Sequence, residues 1–327
     1  HLLEKFPDGS RKIALERSRG CYHNCAFCSI AAQQGLSGQT ARRRVRDADD
    51  LIDEIRALQS RSLIRDYWFM DATFLGPAGD KPQDFELARK LAQINDGHMN
   101  LEIDTRADTI NSEIIGCLKE AGLSRVFLGV ESFEQEALNL FSKGASVKAN
   151  YEAVAILEKA NVDYILGTIL LSPQKTFEQF SRDHEALKSI GYEHTQMLFR
   201  LKMYRGTRMA DQQDCHGRGI MAEEDYGWQF DDPRLDMLWK LIDSCRLALL
   251  DIVFTDLTQR FRQARISTAQ FERMARLVYS RIAGSIDDAL YALRDGQMPD
   301  DASFILIRDK LLADISGFRN KTVMINC

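Results

Sequence analysis

The chain has 327 residues, 45% of them hydrophobic and 28% charged, with a formal net charge of −5. That length allows one large α/β domain with an appendage, or two domains. The mild negative charge excludes a general basic footprint for duplex nucleic acid, and no apolar run reaches the roughly 18 residues a membrane span needs.

The chain opens at His1 rather than Met with no signal peptide, as expected if an upstream segment has been removed. Short β-branched or aromatic runs predict strands at Lys12 to Glu16, Tyr67 to Met70, Leu101 to Asp104, Arg125 to Gly129, Tyr164 to Leu171 and His194 to Leu201. Helical patterns lie between them. Ala48 to Leu58 places Leu51, Ile52, Ile55 and Leu58 on one face, and others cover Asp84 to Ile94, Ser112 to Ala121, Val147 to Ala160 and Thr176 to Ile190.

Six strands with intervening helices predict an α/β fold built on a parallel sheet with right-handed crossovers. Six units are too few for eight-fold closure, so the expected form is a partial (β/α)6 TIM-like barrel. After about residue 205 the strand signals stop. Asp232-Pro233 reads as an N-cap followed by Pro at the first helical position, and no Gly or Pro interrupts the chain to about Ala264. Ser267 to Ala283 and Ser303 to Ile315 continue the helical pattern. The expected division is a barrel over residues 1–205 and a mostly helical region over 206–327 covering the mouth of the site.

Seven cysteines is an odd number, and Cys117, Cys215, Cys245 and Cys327 lie far apart. This is no disulfide framework, and it predicts a reducing, cytoplasmic setting. Cys21, Cys25 and Cys28 are crowded into the spacing C-x3-C-x2-C. A structural zinc site is normally closed by four protein ligands, and here one C-x2-C knuckle is joined by a single further cysteine. His23 could complete a Cys3His set only under strain, inside the turn; a zinc-stabilised binding module is therefore the alternative reading. An iron–sulfur cubane held by three thiolates leaves one iron for a non-protein ligand, which suits chemistry rather than structure.

With Phe27 between Cys25 and Cys28, the segment resembles the C-x3-C-x-aromatic-C signature of the radical S-adenosylmethionine (SAM) superfamily. The resemblance runs in motif order over roughly residues 10 to 235. "YWFMDATF" carries Asp71 after the second strand, "IDTRADTI" carries Arg106 and Asp108 after the third, and "FLGVES" ends the fourth with Glu131 and Ser132. "GTILLSPQKT", with Ile169, resembles the fifth-strand border of the adenine site, and "MYRGT" the exit from the sixth strand, with Arg205 in place of Pro. The resemblance implies a [4Fe–4S] cluster on Cys21, Cys25 and Cys28, and SAM bound by Phe27, Asp71, Arg106, Glu131, Ser132 and Ile169. It also implies an external electron donor such as flavodoxin or ferredoxin. Arg106 suits SAM's carboxylate, and Asp71 or Glu131 its amino and sulfonium groups.

Among members of that superfamily, cobalamin-dependent ones carry a domain before the cluster, and only 20 residues precede Cys21, so either a cobalamin-free enzyme or a truncated one is expected, the former being preferred. Scattered C-terminal cysteines predict a single cluster, and a helical, acid-containing tail does not match the basic RNA-binding domain of methylthiotransferases. Between Met209 and Asp236, eight acids face two bases, interleaved with Tyr226, Trp228 and Phe230. Such a segment suits a polycationic or aminosugar-like substrate if it lines the site, and is otherwise a solvated loop. The whole resembles stand-alone sugar-modifying enzymes of antibiotic biosynthesis. The leading expectation is an epimerase in which Cys245, or Cys215, returns a hydrogen atom to the substrate radical. A dehydratase, deaminase, decarboxylase or oxidase is the alternative. Taken by itself, Cys245 on an apolar helix face reads first as a small core residue, and Cys117 is expected to be core.

Overall fold

The computed structural model describes residues 3–5, 11–36, 43–62, 64–195, 200–212, 228–252, 263, 268–293 and 301–324. In chain order the elements are β1 (Leu3–Lys5), β2 (Arg11–Leu15), β3 (Ser18–Gly20), α1 (Ser29–Leu36), β4 (Arg43–Val45), α2 (Ala48–Ser62), β5 (Asp66–Phe69) and α3 (Lys81–Ile94). They continue with β6 (Asn100–Arg106), α4 (Ser112–Glu120), β7 (Leu123–Glu131), α5 (Gln135–Leu140), α6 (Val147–Lys159), β8 (Asp163–Thr168) and α7 (Phe177–Ile190). The remainder is helical: α8 (Arg208–Gln212), α9 (Pro233–Asp251), α10 (Thr268–Leu293) and α11 (Asp301–Met324).

One sheet has the order β1-β2-β5-β6-β7-β8, with β1 antiparallel to β2 and the other neighbours parallel. This is the expected α/β fold, a partial barrel followed by helices. Alternation along the strands separates two faces. Ile13, Leu15, Tyr67, Phe69, Leu101, Ile103, Val126, Leu128, Val130, Tyr164 and Leu166 are all buried and form the apolar outer layer. The facing helices supply Leu51 and Ile55 from α2, Leu87 and Leu91 from α3, Ile114, Ile115 and Leu118 from α4, and Val154 and Leu157 from α6. Each such side chain contributes about 1.5–3 kcal/mol of transfer free energy. The inner face is mixed: it carries Lys12, Trp68, Glu102, Asp104, Arg106, Arg125 and Asp163, with Ala14, Phe127 and Ile165 among them.

The sixth expected strand, His194 to Leu201, falls partly outside the described residues. Gly191 (φ 119) ends α7, Tyr192–His194 form a 3-10 turn, and Thr195 is pinned by bonds from both its N–H and its hydroxyl to the Tyr192 carbonyl. Residues 196–199 lie outside the described set. The described pairing in this stretch is one parallel bridge, Leu171 to Arg200, with the Leu201 N–H donating to the Leu171 carbonyl at 2.8 Å. The β3–β4 pair, which carries the chain into the cysteine loop, had no clear signal because each strand is three residues long. Cys117, expected in the core, is half-buried, since the inward face of α4 is taken by Ile114, Ile115 and Leu118.

The chain divides into two compact units. One contains Arg11–Thr168 and Lys202–Trp228, the other Ile169–Leu201 and Gln229–Cys327. In the second unit Asp232 accepts from the Arg234 N–H at the start of α9 and from the Phe177 N–H at the start of α7, both at 3.0 Å, so one carboxylate caps two helices. Leu235, Leu238, Leu241, Ile242 and Cys245 form the buried stripe of α9. Among the described residues no helix is long and apolar enough to cross a membrane.

Candidate active site

Gly20 (φ 85) turns the chain out of β3 and into the cysteine loop. The loop is held by its backbone. The Ala26 N–H donates to the Phe141 carbonyl at 2.8 Å, the Ala26 carbonyl accepts from the Met209 N–H at 3.1 Å, and Arg208 Nη2 donates to the Asn24 carbonyl at 2.5 Å. The Tyr204–Thr207 turn leading into α8 thus brings the exit motif onto the loop from behind. Phe27 packs edge-on against Phe141, with ring centroids 5.7 Å apart. This contact ties the segment between Cys25 and Cys28 to Phe141.

Cys21, Cys25 and Cys28 are free thiols, each half-buried. Arg106, at the end of β6, places Nη1 3.8 Å from Cys25 Sγ. Its guanidinium is only 4% exposed and is held by a two-bonded contact to Asp108 (2.8 and 2.9 Å) and by the Lys143 carbonyl at 2.6 Å. Burial lowers the Arg106 pKa and Asp108 raises it, with a net rise above the ordinary value. Burial pushes the Cys25 thiol up, while Lys143 and Arg106 favour its thiolate. His23 Nε2 lies 4.0 Å from Asp108, and burial followed by the Arg106 charge lowers the imidazole to about 4. His23 and Tyr22 border a cavity of about 330 Å³ together with Lys81, Asp84, Asp108 and Asn111.

Glu131 has a left-handed backbone (φ 64) at a shift of register between β7 and β8, an uncommon conformation for a residue with a side chain. The distortion turns its carboxylate onto Lys143 Nζ at 2.7 Å. Gly129 leaves room for that pair, since a Cβ there would lie 3.1 Å from Nζ. Ser132 is fully buried; its hydroxyl accepts from the Glu134 N–H, and its carbonyl accepts from Asn150 Nδ2. Asp71 is buried, and both its oxygens are engaged: Oδ2 by the Arg17 N–H at 3.1 Å, Oδ1 by the N–H and hydroxyl of Ser18 at 2.5 Å. Burial pushes Asp71 up, against those hydrogen bonds.

The first unit thus brings together Cys21, Cys25, Cys28, Arg106 and Glu131, with Ser132 and Phe27 behind them and Asp71 at the β2–β3 turn. Ile169 and Cys245 belong to the second unit. Ile169 is 8% exposed directly after β8, and Cys245 is 1% exposed within α9. Cys215 and most of the acidic segment lie outside the described residues. Sequence reasoning missed Lys143, which bonds Glu131 through its side chain and Arg106 through its carbonyl. The signal for it was the turn Ser142-Lys143-Gly144, whose flanking residues are both left-handed (φ 49 and 67).

The profile of the Radical SAM superfamily matches residues 15–187, more than half of the chain. The chain belongs to that superfamily. An uncharacterised methyltransferase of Pyrococcus horikoshii is 26% identical over 209 residues, covering 63% of this chain and 43% of the relative. A hopanoid C-3 methylase of Methylococcus capsulatus is 26% identical over 161 residues, covering 48% of this chain and 28% of the relative. In structure, the cobalamin-dependent SAM radical enzyme OxsB, with SAM bound, matches with a TM-score of 0.66 at 16% identity, over 93% of this chain and 50% of its own. The methyltransferase TsrM of Kitasatospora setae matches at 0.55 and 17% identity, over 63% of this chain and 39% of its own. The chain spans about half the length of these proteins or less.

Superfamily membership implies a [4Fe–4S] cluster and SAM, and the donor set fits. Three free thiols share one loop, a guanidinium lies beside one of them, and no fourth thiol is among the described residues of that loop. The zinc-module reading gives way to this assignment.

Proposed function

We propose that the chain is the catalytic core of a radical SAM enzyme acting on a polar, amine-bearing small molecule, of the type that works with cobalamin. The observation that carries the SAM chemistry is the three-thiol loop with Arg106 against Cys25. When bound, the cluster supplies the electron that cleaves SAM into methionine and a 5′-deoxyadenosyl radical. The chain's own residues then divide the work. Arg106 offers SAM's carboxylate a rigid guanidinium. The Glu131–Lys143 pair sets charge beside it, Ser132 shapes the strand end, and Ile169 supplies apolar surface for adenine. The electron comes from a flavodoxin- or ferredoxin-like donor in a reducing, cytoplasmic setting. In this reading the barrel covers residues 1–205, and 206–327 form the mostly helical region.

Cobalamin replaces the cobalamin-free expectation because the long OxsB match extends into the C-terminal helices, and because the relatives' names describe methyl transfer. Epimerisation with Cys245 as hydrogen donor draws no support from those names, and Cys245 lies in the buried stripe of α9. The reactions separate by label. Protein reconstituted without oxygen is incubated with dithionite, a panel of aminosugars, and SAM carrying a deuterated methyl group, with and without hydroxocobalamin. Cobalamin-dependent appearance of the deuterated methyl in product supports the proposal. Solvent deuterium at one carbon, with no added methyl and no need for cobalamin, contradicts it in favour of the epimerase.

A further inference from the structure

The β3–β4 ribbon that carries the chain into the cysteine loop is rich in arginine. Arg19 of β3 and Arg44 of β4 are opposite each other in register. In an antiparallel pair that sets their Cβ atoms about 5 Å apart, where two like charges repel. Arg43, one position earlier, is buried and satisfied: it donates to Asp80 at 2.8 Å and to the Phe74 carbonyl at 2.8 Å. Arg19 is paired with Glu16 at 2.7 Å, and Arg46 with Glu54 at 2.5 Å. Arg44 is exposed and has no partner among the described residues.

Arg19, Arg44 and Arg46 line one cavity of about 780 Å³, together with Glu16 and Glu54. Its volume is that of a small-molecule site. Each of the two carboxylates is held by an arginine of its own, so the third guanidinium, that of Arg44, is an unmatched positive charge. Ala14 and Met70 complete the lining at the carboxyl ends of β2 and β5, where the Met70 N–H donates to the Leu15 carbonyl at 3.0 Å. Barrels of parallel strands bind their ligands at that end. Met70 is 45% exposed, an apolar side chain left uncovered beside the arginines. Arg19 stands two residues before Cys21, a reach of at most about 7 Å along the chain, so this arginine borders the cluster loop.

We propose that Arg44, flanked by Arg19 and Arg46, binds an oxyanion of the substrate, a phosphate or a carboxylate, in this cavity. A guanidinium meets either group in a planar, two-bonded contact. The incoming negative charge relieves the repulsion between Arg19 and Arg44, while Met70 and Ala14 offer apolar surface to the body of the molecule. The pairs with Glu16 and Glu54 hold the flanking guanidiniums in place and leave Arg44 as the group that answers to the ligand. That the anion belongs to the substrate rests on the radical SAM reading, and it gives the amine-bearing substrate a second, acidic group.

The test measures equilibrium binding by calorimetry to wild type and to Arg44→Gln, both reconstituted with iron and sulfide. The probes are inorganic phosphate, glucose 6-phosphate, glucuronate, glucose and SAM. Wild type is expected to bind glucose 6-phosphate or glucuronate at least tenfold more tightly than glucose, and Arg44→Gln to lose that preference while SAM binds both proteins alike. A preference shared by glucose 6-phosphate and inorganic phosphate assigns the subsite to phosphate, and one for glucuronate assigns it to carboxylate. Arg44→Lys, which keeps the charge without the fork, should retain part of the preference. Arg56→Gln, which removes an exposed arginine outside the cavity, is the control. Wild type that does not distinguish the anions from glucose, Arg44→Gln that binds as wild type does, or an equal loss in Arg56→Gln overturns the proposal. A loss confined to SAM also overturns it, since the anion would then be SAM's own carboxylate. Iron content and 5′-deoxyadenosine release are measured on the same samples. Wild type lacking both sinks the functional reading, whereas iron-loaded protein that cleaves SAM but shows no Arg44-dependent preference sinks the subsite alone.

Discussion

At the scale of single residues, the site is a set of charges that burial makes expensive and geometry makes affordable. Lys143 and Glu131 are 5% and 13% exposed at their side chains, so removing one partner strands the other. Lys143→Met is expected to destabilise the protein by about 3 kcal/mol, with much of the loss recovered by adding Glu131→Gln, as measured by urea unfolding. Asp104 gives a pH signature. Its folded pKa of about 6 lies above the 3.8 of an unperturbed carboxylate, so the folded state holds the proton more tightly. Stability on this account falls as pH rises from about 4 to about 6 and is level beyond. Asp104→Asn should remove that component, and unfolding curves at pH 4, 5, 6 and 7 that keep the full wild-type slope would contradict it. Residue identities were legible in the sequence where spacing is rigid, as in C-x3-C-x2-C with Phe27. They were hidden where partners are distant: Lys143 lies 37 positions from Arg106, and Trp68 lies 36 from Asp104.

At the scale of elements, strand and helix periods located five of the parallel strands and five helices of the alternating region to within a few residues. The apolar outer face made these visible, because every second strand residue must meet a helix. The sixth expected strand, His194 to Leu201, lies partly outside the described residues, whose flanks show a 3-10 turn at Tyr192–His194 and one bridge from Leu171 to Arg200. Asp232-Pro233 was readable as a cap, but its second role, holding the α7 N-terminus, needs contacts 55 residues apart. Asp232→Ala should therefore cost about 1–2 kcal/mol, at the upper end for a cap, while exposed Asp231→Ala should stay within about 0.5 kcal/mol. Thermal unfolding of the two variants side by side checks this.

At the scale of the whole molecule, the fold class followed from β/α alternation, and the superfamily followed from motif order. Substrate and outcome did not, because they depend on inner-face side chains that alternate with core residues and leave no spacing of their own. The aminosugar expectation came from an acidic segment of which residues 213–227 lie outside the described set. The central claim is that Cys21, Cys25 and Cys28 hold a cluster that cleaves SAM. It is tested most directly by reconstituting the protein with iron and sulfide without oxygen, adding SAM and dithionite, and measuring 5′-deoxyadenosine. The account predicts a brown protein that releases it, and loss of both colour and release in Cys21→Ala, Cys25→Ala and Cys28→Ala alike. A colourless, zinc-loaded protein, or release that survives those substitutions, would contradict it.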